Sequence, residues 1–78
     1  MANKLWDQRR KALTEILKNL RVDAGVTQID MANRLDKAQS YVSKYESGER
    51  KLDFVEVMDI CEALGVKPNI LIDLYEAA

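Results

Sequence analysis

The chain contains no histidine, one cysteine and one proline among 78 residues. Without histidine it lacks the side chain that most often binds metals and moves protons near neutral pH. The single thiol, Cys61, allows neither an intramolecular disulfide nor the Cys/His sets that hold zinc or build a thiol nucleophile. Carboxylates remain, but no pair of them sits in an apolar setting that would separate an acid from a base. The reading is therefore a protein that is not an enzyme and needs no cofactor or metal. Long apolar runs are missing too: no stretch approaches the ~20 residues needed to cross a bilayer. Charged residues near the N-terminus stand where a signal peptide would have its apolar core, so the expected location is the cytoplasm, with no membrane involved.

Glycine is scarce, and its three copies act as punctuation. Gly25, Gly48 and Gly65 each fall where a run of helical periodicity stops. Pro68 suits the first turn of a helix, where its missing N–H costs nothing. Thr27 with Asp30, and Asp53 with Glu56, have the spacing of capping pairs that open helices. No window alternates with the period of a strand. The chain reads as all-α, five helices in a single domain spanning residues 1–78. The first helix is expected over residues 3–24, burying Leu13, Ile16, Leu17, Leu20 and Ala24. Its length places Leu5 and Trp6 on an extension, where Trp6 packs on the last helix or joins a dimer contact. The fourth helix, from Phe54 to Leu64, buries Val57, Ile60, Cys61 and Leu64.

Apolar residues make up 47% of the chain, which places it among folded proteins. A core of this size supplies only a few kcal/mol, so caps and a partner subunit both matter. The fifth helix, over residues 69–76, has Ile70, Leu71, Ile72, Leu74 and Tyr75, more apolar surface than one face can hide. An identical subunit is the economical cover, so a homodimer through helix five, with Leu5 and Trp6 as further candidates, is expected.

The net charge of −1 hides a polarised chain. Residues 1–51 hold 11 Lys/Arg against 7 Asp/Glu, whereas residues 52–78 hold 1 against 6. A local positive surface steers a protein toward phosphates whatever the overall balance. The basic part contains residues 27–48, TQIDMANRLDKAQSYVSKYESG. These read as two short helices joined by a tight turn. Met31, Ala32 and Leu35 form an apolar stripe that resumes with Ala38, Val42 and Tyr45. At about 100° per residue, Gln39, Ser40, Ser43, Lys44 and Ser47 share another arc of the second helix. Exposed helix faces are usually covered in Lys and Glu. This one presents hydroxyls, an amide and one cation, the groups that hydrogen-bond base edges in a DNA groove.

The ordered set Leu20-Arg21, residues 24–28 (AGVTQ), Ala32, Leu35, residues 39–50 (QSYVSKYESGER) and residues 63–66 (ALGV) resembles the phage-repressor-like helix-turn-helix family, also called the XRE type. The resemblance runs over about residues 13–74. It implies a compact five-helix, lambda-repressor-like fold with a long first helix and a helix-turn-helix core at residues 27–47. Gln28 would contact the DNA backbone. Gln39, Ser40, Ser43 and Lys44 would face base edges, with Tyr41 at the flank. Ser47, Arg50 and Lys51 would reach phosphates. Arg21 and Glu46 would form an ion pair that sets the angle of the recognition helix. The implied function is a sequence-specific double-stranded DNA-binding regulator of transcription, a repressor acting as a homodimer.

Three positions depart from the family pattern. Asp36 occupies the turn where relatives often have glycine, and aspartate tolerates left-handed geometry there better than most residues, at some cost; Ala38 is a poor cap. Asp36 is therefore expected to cap the recognition helix, with Gln39 completing the pair. Ile29 falls on the exposed side of its helix, where relatives are usually polar. Two alternatives stand beside the regulator. One is a DNA-binding antitoxin or restriction-module controller that also holds a partner protein. The other is a helical protein-interaction module whose DNA face has lapsed.

Overall fold

The computed structural model describes residues 4–78, with side chains from Asp7 onward. The side chains of Leu5 and Trp6, and the contacts expected of them, lie outside the described residues. Five helices follow one another: α1 Lys4–Asp23, α2 Gln28–Leu35, α3 Gln39–Ser47, α4 Phe54–Leu64 and α5 Pro68–Ala77. Among the described residues there is no strand.

Local chemistry sets most of these boundaries. Thr27 Oγ1 accepts the backbone N–H of Asp30 at 3.1 Å, and the Asp30 carboxylate accepts that of Thr27 at 3.5 Å. Asp53 and Glu56 exchange the same pair of bonds at 2.7 and 3.0 Å. Each box satisfies two donors that a helix start leaves orphaned, with the cap itself worth ~1 kcal/mol. Pro68 stands at the start of α5 as expected.

The turn between α2 and α3 corrects the sequence reading. Asp36 does not cap α3. It closes α2 in the left-handed conformation (φ 56°, ψ 46°), and its N–H returns to the carbonyls of Ala32 and Asn33. Lys37 N–H bonds to Ala32 O at 2.9 Å, completing the helix stop. Asp36 is taken up as the stop of α2, and the N-cap position of α3 falls two residues later. Ala38 therefore opens α3 with no side-chain cap, and Gln39 is not committed to the backbone.

The core consists of Leu17, Val26, Met31, Ala32, Val42, Tyr45, Ile60, Cys61 and Leu71, with Leu13, Ile16, Leu20, Val57 and Leu64 half-buried around it. α3 packs on α1 and α2, α4 covers α2, and α5 packs on α1 and α4. The Arg34 guanidinium donates to Ala63 O at 2.9 Å, joining α2 to the carbonyl end of α4. Ala24, expected inside, lies past the end of α1 and is exposed. In α5 only Leu71 is buried, while Ile70, Ile72, Leu74 and Tyr75 face outward. Phe54 and Val55 add to that surface at 74% and 66% exposure, at the first turn of α4.

Candidate nucleic-acid interface

α3 has two chemically distinct sides. Val42 and Tyr45 are fully buried, which pins one side to the body. Gln39, Ser40, Ser43, Lys44 and Ser47 are all exposed on the other. Ser47 is partly committed, its hydroxyl donating to Lys44 O at 3.0 Å. Among the described residues, Gln39, Ser40, Ser43 and Lys44 have no side-chain bond to the protein, so their donors and acceptors face solvent.

The angle of α3 is fixed from behind. Arg21 Nε and Nη2 donate to the two Glu46 carboxylate oxygens at 2.6 and 3.0 Å, and Nη1 donates to Val26 O at 2.6 Å. The two side chains are 10% and 3% exposed, so this is a buried, bidentate pair with its hydrogen bonds satisfied. Glu46 raises the Arg21 guanidinium above its ordinary pKa, chiefly through that hydrogen bond. One ionic clamp thereby joins α1, the α1–α2 turn and the last turn of α3.

Gln28 belongs to the same clamp. Its amide Nε2 donates to Glu46 Oε1 at 3.1 Å, and the residue is half-buried. A surface amide beside a helix start gave no sign of that partner in the sequence. The bond orients the side chain and leaves its carbonyl oxygen and one N–H for other partners.

At the other flank, Tyr41 is half-buried, with its ring edge-on to Tyr45 at 5.5 Å. Its hydroxyl donates to Glu56 Oε2 at 3.1 Å. Burial, and then that carboxylate, raise the phenol above its usual pKa. Arg50 and Lys51 are exposed in the α3–α4 loop. Gly48 enters that loop at φ 87°, a left-handed turn that favours glycine. The Arg50 N–H then bonds back to Lys44 O at 3.1 Å. This return brings the Arg50 guanidinium 4.8 Å from the Tyr41 ring centroid and into an ion pair with Glu56 at 2.5 Å. Glu56 is thus a member of the site that sequence reasoning assigned only to a helix cap.

The helix-turn-helix family model matches residues 17–71, which include every residue of the interface just described. The chain belongs to the XRE-type helix-turn-helix family. An XRE-family-like protein from Pseudomonas syringae pv. tomato str. DC3000 is 42% identical, over 95% of this chain and 90% of that one, with a TM-score of 0.88. The clp gene regulator ClgR from C. glutamicum is 26% identical, over 88% of both chains, with a TM-score of 0.80. The restriction-modification controller protein C.Esp1396I, solved as a tetramer with its natural 35 base-pair operator, shares the fold at 22% identity. That match covers 88% of this chain and 91% of the controller, with a TM-score of 0.83. No curated protein matches. XRE-type helix-turn-helix proteins are DNA-binding regulators of transcription and generally not enzymes. Among the described residues of this member, no helix is long and apolar enough to cross a membrane.

Proposed function

We propose that this XRE-type chain, acting as one domain over residues 1–78 in the cytoplasm, is a sequence-specific repressor. As a homodimer it inserts α3 into the major groove of double-stranded DNA. The observation that carries this reading is the outward face of α3. Four side chains able to hydrogen-bond base edges are exposed and uncommitted, on a helix whose opposite side is locked in the core. Gln39, Ser40, Ser43 and Lys44 read bases, with Tyr41 at their edge. Gln28, Ser47, Arg50 and Lys51 meet phosphates on either flank. Arg21 and Glu46 hold the presentation angle. A buried pair is a poor source of net stability, and setting that angle is the role its geometry suits.

The dimer reading rests on the exposed apolar residues of α4 and α5. Phe54, Val55, Ile72 and Tyr75 are exposed apolar residues. Phe54, Ile72 and Tyr75 also line an open groove of about 520 Å³ between α1, the α3–α4 loop, α4 and α5, with Arg50 and Lys51 at its loop edge. A second copy covers this face with its own α5, and two recognition helices then lie roughly one DNA turn apart, ~34 Å. Repression follows from occupancy of the site, which blocks polymerase.

Salt titration of binding to a duplex tests this against a module that only binds protein. Neutralising phosphates makes affinity fall with added salt by about 0.9 log–log units per contact. An apolar protein interface responds little. A steep slope is the expected result; a flat one, or no binding in dilute buffer, removes the regulator reading.

A further inference from the structure

Apart from the Arg21–Glu46 clamp, the most densely bonded carboxylate is that of Glu56, in the first turn of α4. Its Oε1 accepts the Asp53 N–H at 3.0 Å, which the capping box explains. Its Oε2 accepts the Tyr41 hydroxyl at 3.1 Å and the Arg50 guanidinium at 2.5 Å, which no cap requires. Both donors come from the side of the molecule that carries α3. The Arg50 guanidinium also lies over the Tyr41 ring, and its backbone is tied to Lys44 O. The Arg50 side chain, at 44% exposure, nevertheless remains open to solvent.

We infer that Glu56 is a positioning residue for DNA binding: it acts through Arg50, holding the guanidinium at the flank of α3 where the phosphate backbone passes. This rests on the reading of α3 as the recognition helix. A free arginine in a loop would lose its rotamer freedom on meeting a phosphate. Here that ordering is completed during folding, by one carboxylate bond and one aromatic face. One guanidinium N–H is given to Glu56 and the group also interacts with the Tyr41 side chain, which leaves further N–H groups for an anion. The Asp53 N–H and Arg50 together hold the Glu56 carboxyl down to about 2. It therefore stays ionised wherever the protein would meet DNA.

A different outcome follows if Glu56 is a brake that competes with phosphate for Arg50. Removing it would then tighten binding. Glu56→Gln separates these roles from the cap, because glutamine also completes a capping box. With the amide oxygen on Asp53 N–H, its NH₂ faces the Arg50 guanidinium donor against donor, and the negative charge that paired with Arg50 is gone. The hold is lost while the helix start is kept.

The experiment is a salt titration of binding to a short duplex of arbitrary sequence, for wild type, Glu56→Gln, Arg50→Ala and the double variant, with thermal melts of each. Glu56→Gln is expected to melt close to wild type and to lower the salt slope by about one unit. Arg50→Ala should lower it equally, and the double variant should be no worse than Arg50→Ala. A wild-type slope in Glu56→Gln, tighter binding, or losses that add in the double variant overturns the positioning role and leaves the DNA reading standing. A flat wild-type slope overturns both.

Discussion

Removing the Glu46 carboxylate tests whether the clamp behind α3 is as buried as its geometry indicates. In Glu46→Ala, Arg21 loses both bonds to its one side-chain partner and keeps only Val26 O, at 10% side-chain exposure. The Gln28 amide loses its acceptor as well. Stranding one member of a buried pair costs about 3–5 kcal/mol. A domain of this length has roughly 4–12 kcal/mol in total, so much of the stability is lost. At 4 °C or more per kcal/mol for a domain of this size, the melting temperature should fall by at least about 12 °C. Far-UV circular dichroism reads the transition directly. The double variant Arg21→Met with Glu46→Leu provides the control. It removes both charges and should recover part of the loss, because apolar replacement of a whole buried pair is often near neutral. A Glu46→Ala melt within a few degrees of wild type would refute the argument, as would a double variant less stable than the single one.

Other consequences follow from the same geometry. Lys44→Ala should relax preference at one operator position by ~1–3 kcal/mol, read by competition among single-base variants; equal loss on every sequence would assign Lys44 to phosphate. Ile72→Glu puts a charge in the exposed α5 face and should leave a folded monomer in sedimentation analysis, where wild type is expected as a dimer. Glu56 has its carboxyl lowered from 4.5 to about 2. The stability it contributes is therefore complete above about 4.5 and is lost as pH falls toward 2. An acid titration of melting temperature should show that loss in wild type, and a smaller one in Glu56→Gln.

The features legible in the sequence are those fixed within a few residues. Both capping boxes, the proline at the start of α5 and the buried Val42–Tyr45 side of α3 depend on spacings of three or four, and the structure has them as read. The Arg21–Glu46 pair spans 25 positions and came only through resemblance to the family. Asp36 takes the left-handed turn that its type tolerates, but the cap on α3 expected of it is absent, because an aspartate before a helix has two uses and the helix stop prevailed. The links from Gln28 to Glu46 and from Tyr41 to Glu56 cross 18 and 15 positions. They arise only once the turns bring α2, α3 and α4 together. No periodicity encodes them.

The central claim is that the outward face of α3 reads base edges, and selection from a random duplex library tests it most directly. The account predicts an enriched, two-fold symmetric motif whose half-sites lie about one helical turn apart. In Gln39→Ala and Lys44→Ala, that motif should lose information at separate positions. A pool that remains random after selection, while the protein stays folded, would contradict it.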